Sequence, residues 1–163
     1  MVHSALAARI QEYTAELDRV VERAVSFSQK AAKTGDDAYW DAIALNLHSY
    51  YSGVERIFED VARTVEGDLP AGPDWHQRLL FQMSADIQGV RPSVIGRETR
   101  ASLDEYRAFR HVVRNVYAFN FRPERLQELV AGLRDCFDAV RHDLAAFSEF
   151  LKKLDESDSG EAE

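Results

Sequence analysis

Cysteine and long apolar runs are nearly absent from this sequence. The single cysteine, Cys136, cannot form an internal disulfide or a zinc site built from several cysteines. No apolar run approaches the roughly 20 residues that a membrane-spanning helix needs. The N-terminus has neither the basic start nor the apolar core of a secretion signal. These absences predict a cytoplasmic protein that has no membrane segment.

An excess of positive charge is also missing. The chain has 20 Lys+Arg against 28 Asp+Glu, which gives a formal net charge of -8. Such a charge argues against broad, nonspecific adhesion to nucleic acid or anionic membrane, so any contact with nucleic acid must be local. The five histidines show no metal-binding spacing such as HExxH. The sequence therefore predicts no metal site and no cofactor.

The pattern that is present is helical. Apolar residues recur at intervals of three and four, and the alternation typical of strands is absent. Breaks at Gly and Pro divide the chain into helices over roughly 4–32, 37–66, 75–87, 98–119 and from Pro123 through Leu151. Three of these helices are long. The sequence therefore predicts an all-α fold, a bundle of about five helices.

The length and composition favour one domain. A chain of 163 residues with 45% hydrophobic residues can bury one substantial core, which we assign to residues 1–154. Residues 155–163, "DESDSGEAE", are acidic and contain no apolar anchor. Segments of this composition cannot offset their ordering entropy by burial. We expect an acidic, disordered tail.

A cluster of cationic residues stands out on the fourth helix. Arg107, Arg110, His111 and Arg114 fall at three-and-four spacing beside the apolar stripe, with Tyr117 at the end of the row. Because like charges at this spacing repel, an acidic partner or an anionic ligand is expected to offset them. Two uses stay open. The arginines pair with Glu55 and Glu59 of the second helix inside the fold, or they bind phosphate, whose oxygens suit planar guanidinium groups.

The segments "NLHSYYSGVERIFEDVA" and "FRHVVRNVYAF" resemble the HepT-like branch of the HEPN superfamily over roughly residues 40–150. The residues that carry this resemblance are Leu47, His48, Tyr51, Gly53, Glu55, Phe58, Phe109, Arg110, His111, Arg114 and Tyr117. The resemblance implies a HEPN-like helical domain found mainly in prokaryotic toxin-antitoxin and defence systems. It also implies a homodimer with a cleft between paired helices, metal-independent endoribonuclease activity on RNA, and a nucleotidyltransferase partner that acts as the antitoxin.

The sequence departs from the family motif at two positions. The motif is Arg, four to six residues and then His, with a Tyr two positions later. Arg114 and Asn115 fit the opening of this motif, but Phe119 and Phe121 occupy the His and Tyr positions. Phenylalanine cannot transfer a proton. Either His111 serves in a rearranged site, or the chemistry has been lost.

An active site on this helix would cleave RNA by transesterification. Imidazole titrates near neutral pH, so His111 is the expected general base on a ribose 2′-hydroxyl. Arg110 and Arg114 would stabilise charge on the phosphoryl oxygens, and Tyr117 would orient the phosphate or donate to the leaving oxygen. Arg107 and Asn115 are expected to bind substrate.

Three residues of the second helix form a row that faces the cationic stripe in this scheme. His48, Tyr51 and Glu55 are spaced three and four apart, and they either support the site by hydrogen bonds across the bundle or pack as ordinary polar residues.

Three functions therefore compete: a ribonuclease toxin, a catalytically silent relative that binds a nucleotide, RNA or a nucleotidyltransferase, and a helical scaffold whose arginines pair internally. For the toxin, AMPylation of a tyrosine by the partner points to Tyr117, since Phe121 occupies the usual acceptor position.

Overall fold

The computed structural model describes residues 1–115, 117 and 120–160, and this part of the chain is an all-α bundle. The five helices are α1 Val2–Thr34, α2 Ala38–Val61, α3 Trp75–Met83, α4 Arg97–Asn115 and α5 Pro123–Gly160. A π-helical turn, Ala62–Glu66, continues α2. Within the described residues no β-strand forms, and a single antiparallel bridge joins Ile87 to Arg91. The predicted fold class is confirmed.

The three long helices form the body of the bundle. Helix α1 packs against both α2 and α5, and α4 packs across α2 and α5. Their apolar stripes meet in one core, which includes the fully buried side chains Tyr50, Tyr51, Phe58, Leu6 and Leu103. Gly53 allows α1 and α2 to approach closely, because a Cβ atom there would lie 2.6 Å from Leu17 Cδ2.

Glycines end the first two helical segments, as the sequence predicts. Gly35 follows α1 with φ 67°, and Gly67 follows the π-helical turn with φ 79°. These left-handed conformations are easily adopted by glycine because it has no Cβ. The Gly67 N–H donates to the Ala62 carbonyl at 2.8 Å, which closes the turn. The chain then enters the loop that leads to α3.

Helix α4 is fixed by its apolar side. The Tyr106 hydroxyl donates to the Leu129 carbonyl of α5 at 2.6 Å, and Phe109 is buried. The opposite side of α4 faces outward, so its polar residues lie at the surface of the bundle. The sequence predicts that this helix continues to residue 119; the structure ends α4 at Asn115, and residues 116, 118 and 119 lie outside the described part.

Helix α5 extends further than the sequence predicts. Residues 155–160 form its last turns, where a disordered tail was expected, and residues 161–163 lie outside the described part. Asp155 accepts hydrogen bonds from the Ser4 N–H at 2.7 Å and from His3 Nδ1 at 3.0 Å. These contacts tie the end of α5 to the start of α1. Composition alone did not indicate such an anchor.

Candidate functional site

The cationic face of α4 forms one wall of an open pocket of about 580 Å³. The other wall is the start of α3 and the residues that precede it. The residues that line the pocket are Pro73, Asp74, His76, Gln77, Arg107, Arg110, His111, Arg114 and Asn115. The pocket therefore contains five residues that the sequence singled out on α4, together with a histidine that it did not.

Helical periodicity explains why the α4 residues share this wall. Arg107, Arg110, His111 and Arg114 are separated by three, one and three positions, which places them within about two turns on one side of the helix. The neighbouring stripe of Tyr106 and Phe109 is buried in the core. Burying that stripe turns the arginines and the histidine toward solvent.

The three arginines have different partners. Arg107 Nε donates to Asp104 Oδ1 at 2.6 Å, an ion pair within α4. Arg110 Nε donates to the neutral Ser52 Oγ at 3.1 Å. Among the described residues, neither Arg110 nor Arg114 forms an ion pair with a carboxylate. Within the described part of the chain, no carboxylate neutralises these two guanidinium groups in the pocket.

His111 and Asn115 lie at the exposed end of this wall. Both side chains are exposed, and Asn115 Nδ2 donates to the His111 carbonyl at 2.7 Å. That hydrogen bond satisfies a carbonyl in the last turn of α4, where helix carbonyls lack partners within the helix. It leaves the His111 imidazole on the pocket side of α4.

Tyr117 follows α4 and does not line the pocket, and its side chain is 74% exposed. Phe121, the residue at the motif's tyrosine position, packs against Phe109 with ring centroids 6.1 Å apart. Phe119, at the motif's histidine position, lies outside the described residues.

The two glutamates that could have neutralised the arginines are engaged elsewhere. Glu55 accepts a hydrogen bond from His76 Nδ1 at 2.7 Å, and its side chain is only 5% exposed. Glu59 pairs with Arg63 of the π-helical turn at 3.2 Å. The structure therefore does not contain the Glu55 and Glu59 pairs on which the scaffold alternative depended.

Tyr51 lies behind the pocket in the core. Its hydroxyl is buried and has no hydrogen-bond partner among the described residues. Burial raises the pKa of Tyr51 far above its ordinary value, and the nearby negative charge of Glu55 adds to this effect. Tyr51 is thus held in its neutral form.

His48 is half-buried one turn earlier on α2. It borders a separate cavity of about 260 Å³ between α1 and α2. Burial lowers the pKa of His48, and the positive charges of Arg110 and Arg114 lower it further. The charges of Arg110 and Arg114 therefore act on the pKa of His48, although His48 does not line the pocket.

His76 is the pocket residue that sequence reasoning missed. It is the second residue of α3 and lies 21 positions after Glu55, so no helical spacing connects the two. Only the folding of α3 back onto α2 brings them together. The segment "GPD" before α3 is the one signal in the sequence near His76, and it indicates the start of a helix rather than a site.

A search of the described residues for possible metal ligands finds one group, His3, Asp155 and Asp158. These residues lie where α1 begins and α5 ends, and none of them lines the pocket. Among the described residues, no helix is long and apolar enough to span a bilayer.

An all-α bundle with a cationic pocket on its fourth helix is the architecture that the resemblance to HepT-like proteins implies. The family described as HepT-like protein matches residues 42–151, and the chain belongs to this family, a HEPN-related family of toxins. The match covers most of α2, all of α3 and α4 and most of α5, so it includes the whole pocket. Comparison with curated proteins gives no match, and comparison with solved structures gives none.

Proposed function

We propose that this HepT-like protein is the toxin of a toxin-antitoxin pair and cleaves RNA in the α4 pocket without a metal ion. One observation carries the proposal: Arg110 and Arg114 line a pocket beside His111 without pairing with a carboxylate among the described residues. This combination suits a phosphodiester. Guanidinium groups without a carboxylate partner bind the phosphate oxygens, and the imidazole exchanges protons with the hydroxyl oxygens next to the phosphate.

The reaction is transesterification at a ribose phosphate. His111 removes the proton of the 2′-hydroxyl, and the 2′-oxygen then attacks phosphorus. Arg110 and Arg114 stabilise the charge that develops on the phosphoryl oxygens. The bond between phosphorus and the 5′-oxygen breaks, so the products are a 2′,3′-cyclic phosphate and a free 5′-hydroxyl.

Other residues of the α4 region hold the substrate in this scheme. Arg107 and Asn115 line the same pocket and contact the RNA backbone on either side of the reacting phosphate. Tyr117 lies just beyond the helix and does not line the pocket, so its role in orienting the phosphate requires that the RNA extend past the end of α4. His48, Tyr51 and Glu55 lie behind this wall on α2 and support it.

The toxin acts as a homodimer and is neutralised by a nucleotidyltransferase antitoxin. The family supports a pairing of toxin with antitoxin. The exposure of Tyr117 supports it as the tyrosine that the partner AMPylates, because the usual acceptor position is Phe121, which packs on Phe109.

The test is cleavage of RNA by the purified protein in the presence of a chelator. We expect products with 2′,3′-cyclic phosphate and 5′-hydroxyl ends. His111→Ala should lower the rate by about 10²- to 10⁴-fold, the range typical of a lost general base. His142→Ala is the matched control, because His142 is exposed on α5 and does not line the pocket. Equal rates for His111→Ala and the parent would remove His111 from the mechanism.

A catalytically silent binding protein is the second candidate, and Phe119 at the motif's histidine position favours it. In that case the parent binds RNA or a nucleotide in the pocket and yields no cleavage products under any condition. Binding would still depend on Arg110 and Arg114.

A further inference from the structure

The α3 wall of the pocket carries a second histidine that the family motif does not include. His76 belongs to α3, and the pocket separates it from His111 on α4. Transesterification requires two proton transfers, one from the attacking 2′-hydroxyl and one to the departing 5′-oxygen. A single imidazole on α4 provides only the first.

The environment of His76 fixes its orientation. Its Nδ1 donates to Glu55 Oε2 at 2.7 Å, and the Glu55 side chain is only 5% exposed. The Trp75 ring lies against the imidazole, with ring centroids 3.7 Å apart. Because Nδ1 is engaged by the carboxylate on the interior side, Nε2 is the nitrogen that remains for the pocket.

His76 and His111 differ in the contacts that hold them. Glu55 accepts the hydrogen bond from His76 Nδ1, which leaves Nε2 for the pocket. His111 has no carboxylate contact among the described residues and lies on α4 beside Arg110 and Arg114. The two imidazoles thus stand on opposite walls of the pocket, where one is placed to take a proton and the other to give one.

We propose that His76 is the general acid of the RNA cleavage reaction and that Glu55 positions it. This inference rests on the proposed function. His76 Nε2 gives its proton to the 5′-oxygen as the bond from that oxygen to phosphorus breaks. At the same time His111 takes the proton of the 2′-hydroxyl and the bond from the 2′-oxygen to phosphorus forms. The two histidines end with their protonation states exchanged, and water restores both.

The decisive experiment uses an RNA oligonucleotide in which sulfur replaces the bridging 5′-oxygen at the mapped cleavage site. A thiolate leaves without being protonated, so loss of a general acid matters little with this substrate. We expect His76→Ala to cleave ordinary RNA about 10²- to 10⁴-fold more slowly than the parent and to cleave the sulfur-bridged RNA at nearly the parent rate. His111→Ala should remain slow with both substrates.

Two further variants guard against a simple folding defect. His76→Gln keeps a hydrogen-bond donor for Glu55 but carries no titrating proton, and it should behave as His76→Ala does. Glu55→Gln should cleave ordinary RNA more slowly than the parent and cleave the sulfur-bridged RNA at nearly the parent rate, because Glu55 acts through His76. Thermal unfolding of each variant reports whether α3 remains docked.

The outcomes separate this inference from the function on which it rests. If the parent cleaves RNA and the His76 variants are either unaffected or equally slow on both substrates, His76 is not the acid and the proposed function stands. If the parent cleaves neither substrate, the ribonuclease proposal fails and the role of His76 fails with it.

Discussion

At the residue scale, the chemistry of the pocket depends on which arginines lack a counter-charge. Arg107 is paired with Asp104 at 2.6 Å, whereas Arg114 has no carboxylate partner among the described residues. An arginine that is paired with a carboxylate must give up that ion pair to bind phosphate, which reduces the net gain in binding free energy. An arginine without a carboxylate partner has no such loss. Arg114 should therefore contribute more to RNA affinity than Arg107.

Arg114→Ala tests this expectation most directly when it is combined with His111→Ala, which prevents cleavage during the measurement. We expect weaker RNA binding and a salt dependence that is less steep by about 0.7 in log K against log salt, the value for one phosphate contact on a single strand. Fluorescence anisotropy across a salt series measures both quantities.

The matched control is Arg97→Ala, which removes the same charge from the other end of the same helix. Arg97 is exposed and does not line the pocket. Its loss should leave the salt dependence nearly unchanged. Similar slopes for the two variants would show that general positive charge, rather than the pocket, attracts RNA.

At the scale of the elements, the pocket exists because α3 is held against the rest of the bundle. The segment after α3 is fastened by Arg91, whose side chain is fully buried. Arg91 Nη2 donates to Glu66 Oε1 of the π-helical turn at 2.6 Å, and Nη1 donates to the Ala85 and Pro92 carbonyls. This network ties the π-helical turn at the end of α2 to the end of α3 and to the connection that leads to α4.

Arg91→Met should therefore destabilise the protein strongly. The substitution leaves the Glu66 carboxylate, which is 9% exposed, without its cationic partner. Removal of one member of a buried ion pair costs about 3–5 kcal/mol. Chemical denaturation measures the free energy of unfolding.

Arg63→Met is the control, since Arg63 also pairs with a glutamate, Glu59, but its side chain is 62% exposed. Exposed ion pairs contribute about 0–1 kcal/mol, so the free energy of unfolding of this variant should be close to that of the parent. Equal losses for Arg63→Met and Arg91→Met would contradict the anchoring role of Arg91.

At the scale of the whole molecule, the proposed dimer must place two α4 helices near each other. Val112 lies on the outer side of α4 and is 41% exposed, beside an open cavity that also borders Phe109 and Phe121. Exposed apolar side chains on a helix that carries a site are suited to contact with a second copy.

We expect the parent to have twice the mass of a single chain in light scattering, and Val112→Glu to shift it toward the monomer. The introduced charge would be buried in the dimer and solvated in the monomer. Val90→Glu is the matched control, because Val90 is 42% exposed in the connection between α3 and α4 and does not border that cavity. A parent protein that stays monomeric at all concentrations would exclude the dimer.

Much of the architecture follows from the sequence because helices are specified locally. The three-and-four spacing of apolar residues predicts five helices, and Gly35, Gly67 and Pro123 mark boundaries that the structure reproduces. The grouping of Arg107, Arg110, His111 and Arg114 on one face follows from the same periodicity. The extension of α5 beyond Leu151 does not follow from local periodicity, because Asp155 contacts residues at the start of α1 that are distant in sequence.

The sequence by itself determined the helices, the cationic stripe and its side of α4, since these depend on residues only a few positions apart. The tertiary structure alone decided what stands opposite that stripe. Glu55 pairs with His76 instead of an arginine, and α3 supplies a second wall, because packing brings together residues that no local periodicity relates. Packing in three dimensions decides which residues of different helices meet. It leaves Arg110 and Arg114 without a carboxylate among the described residues and brings a second histidine to the pocket.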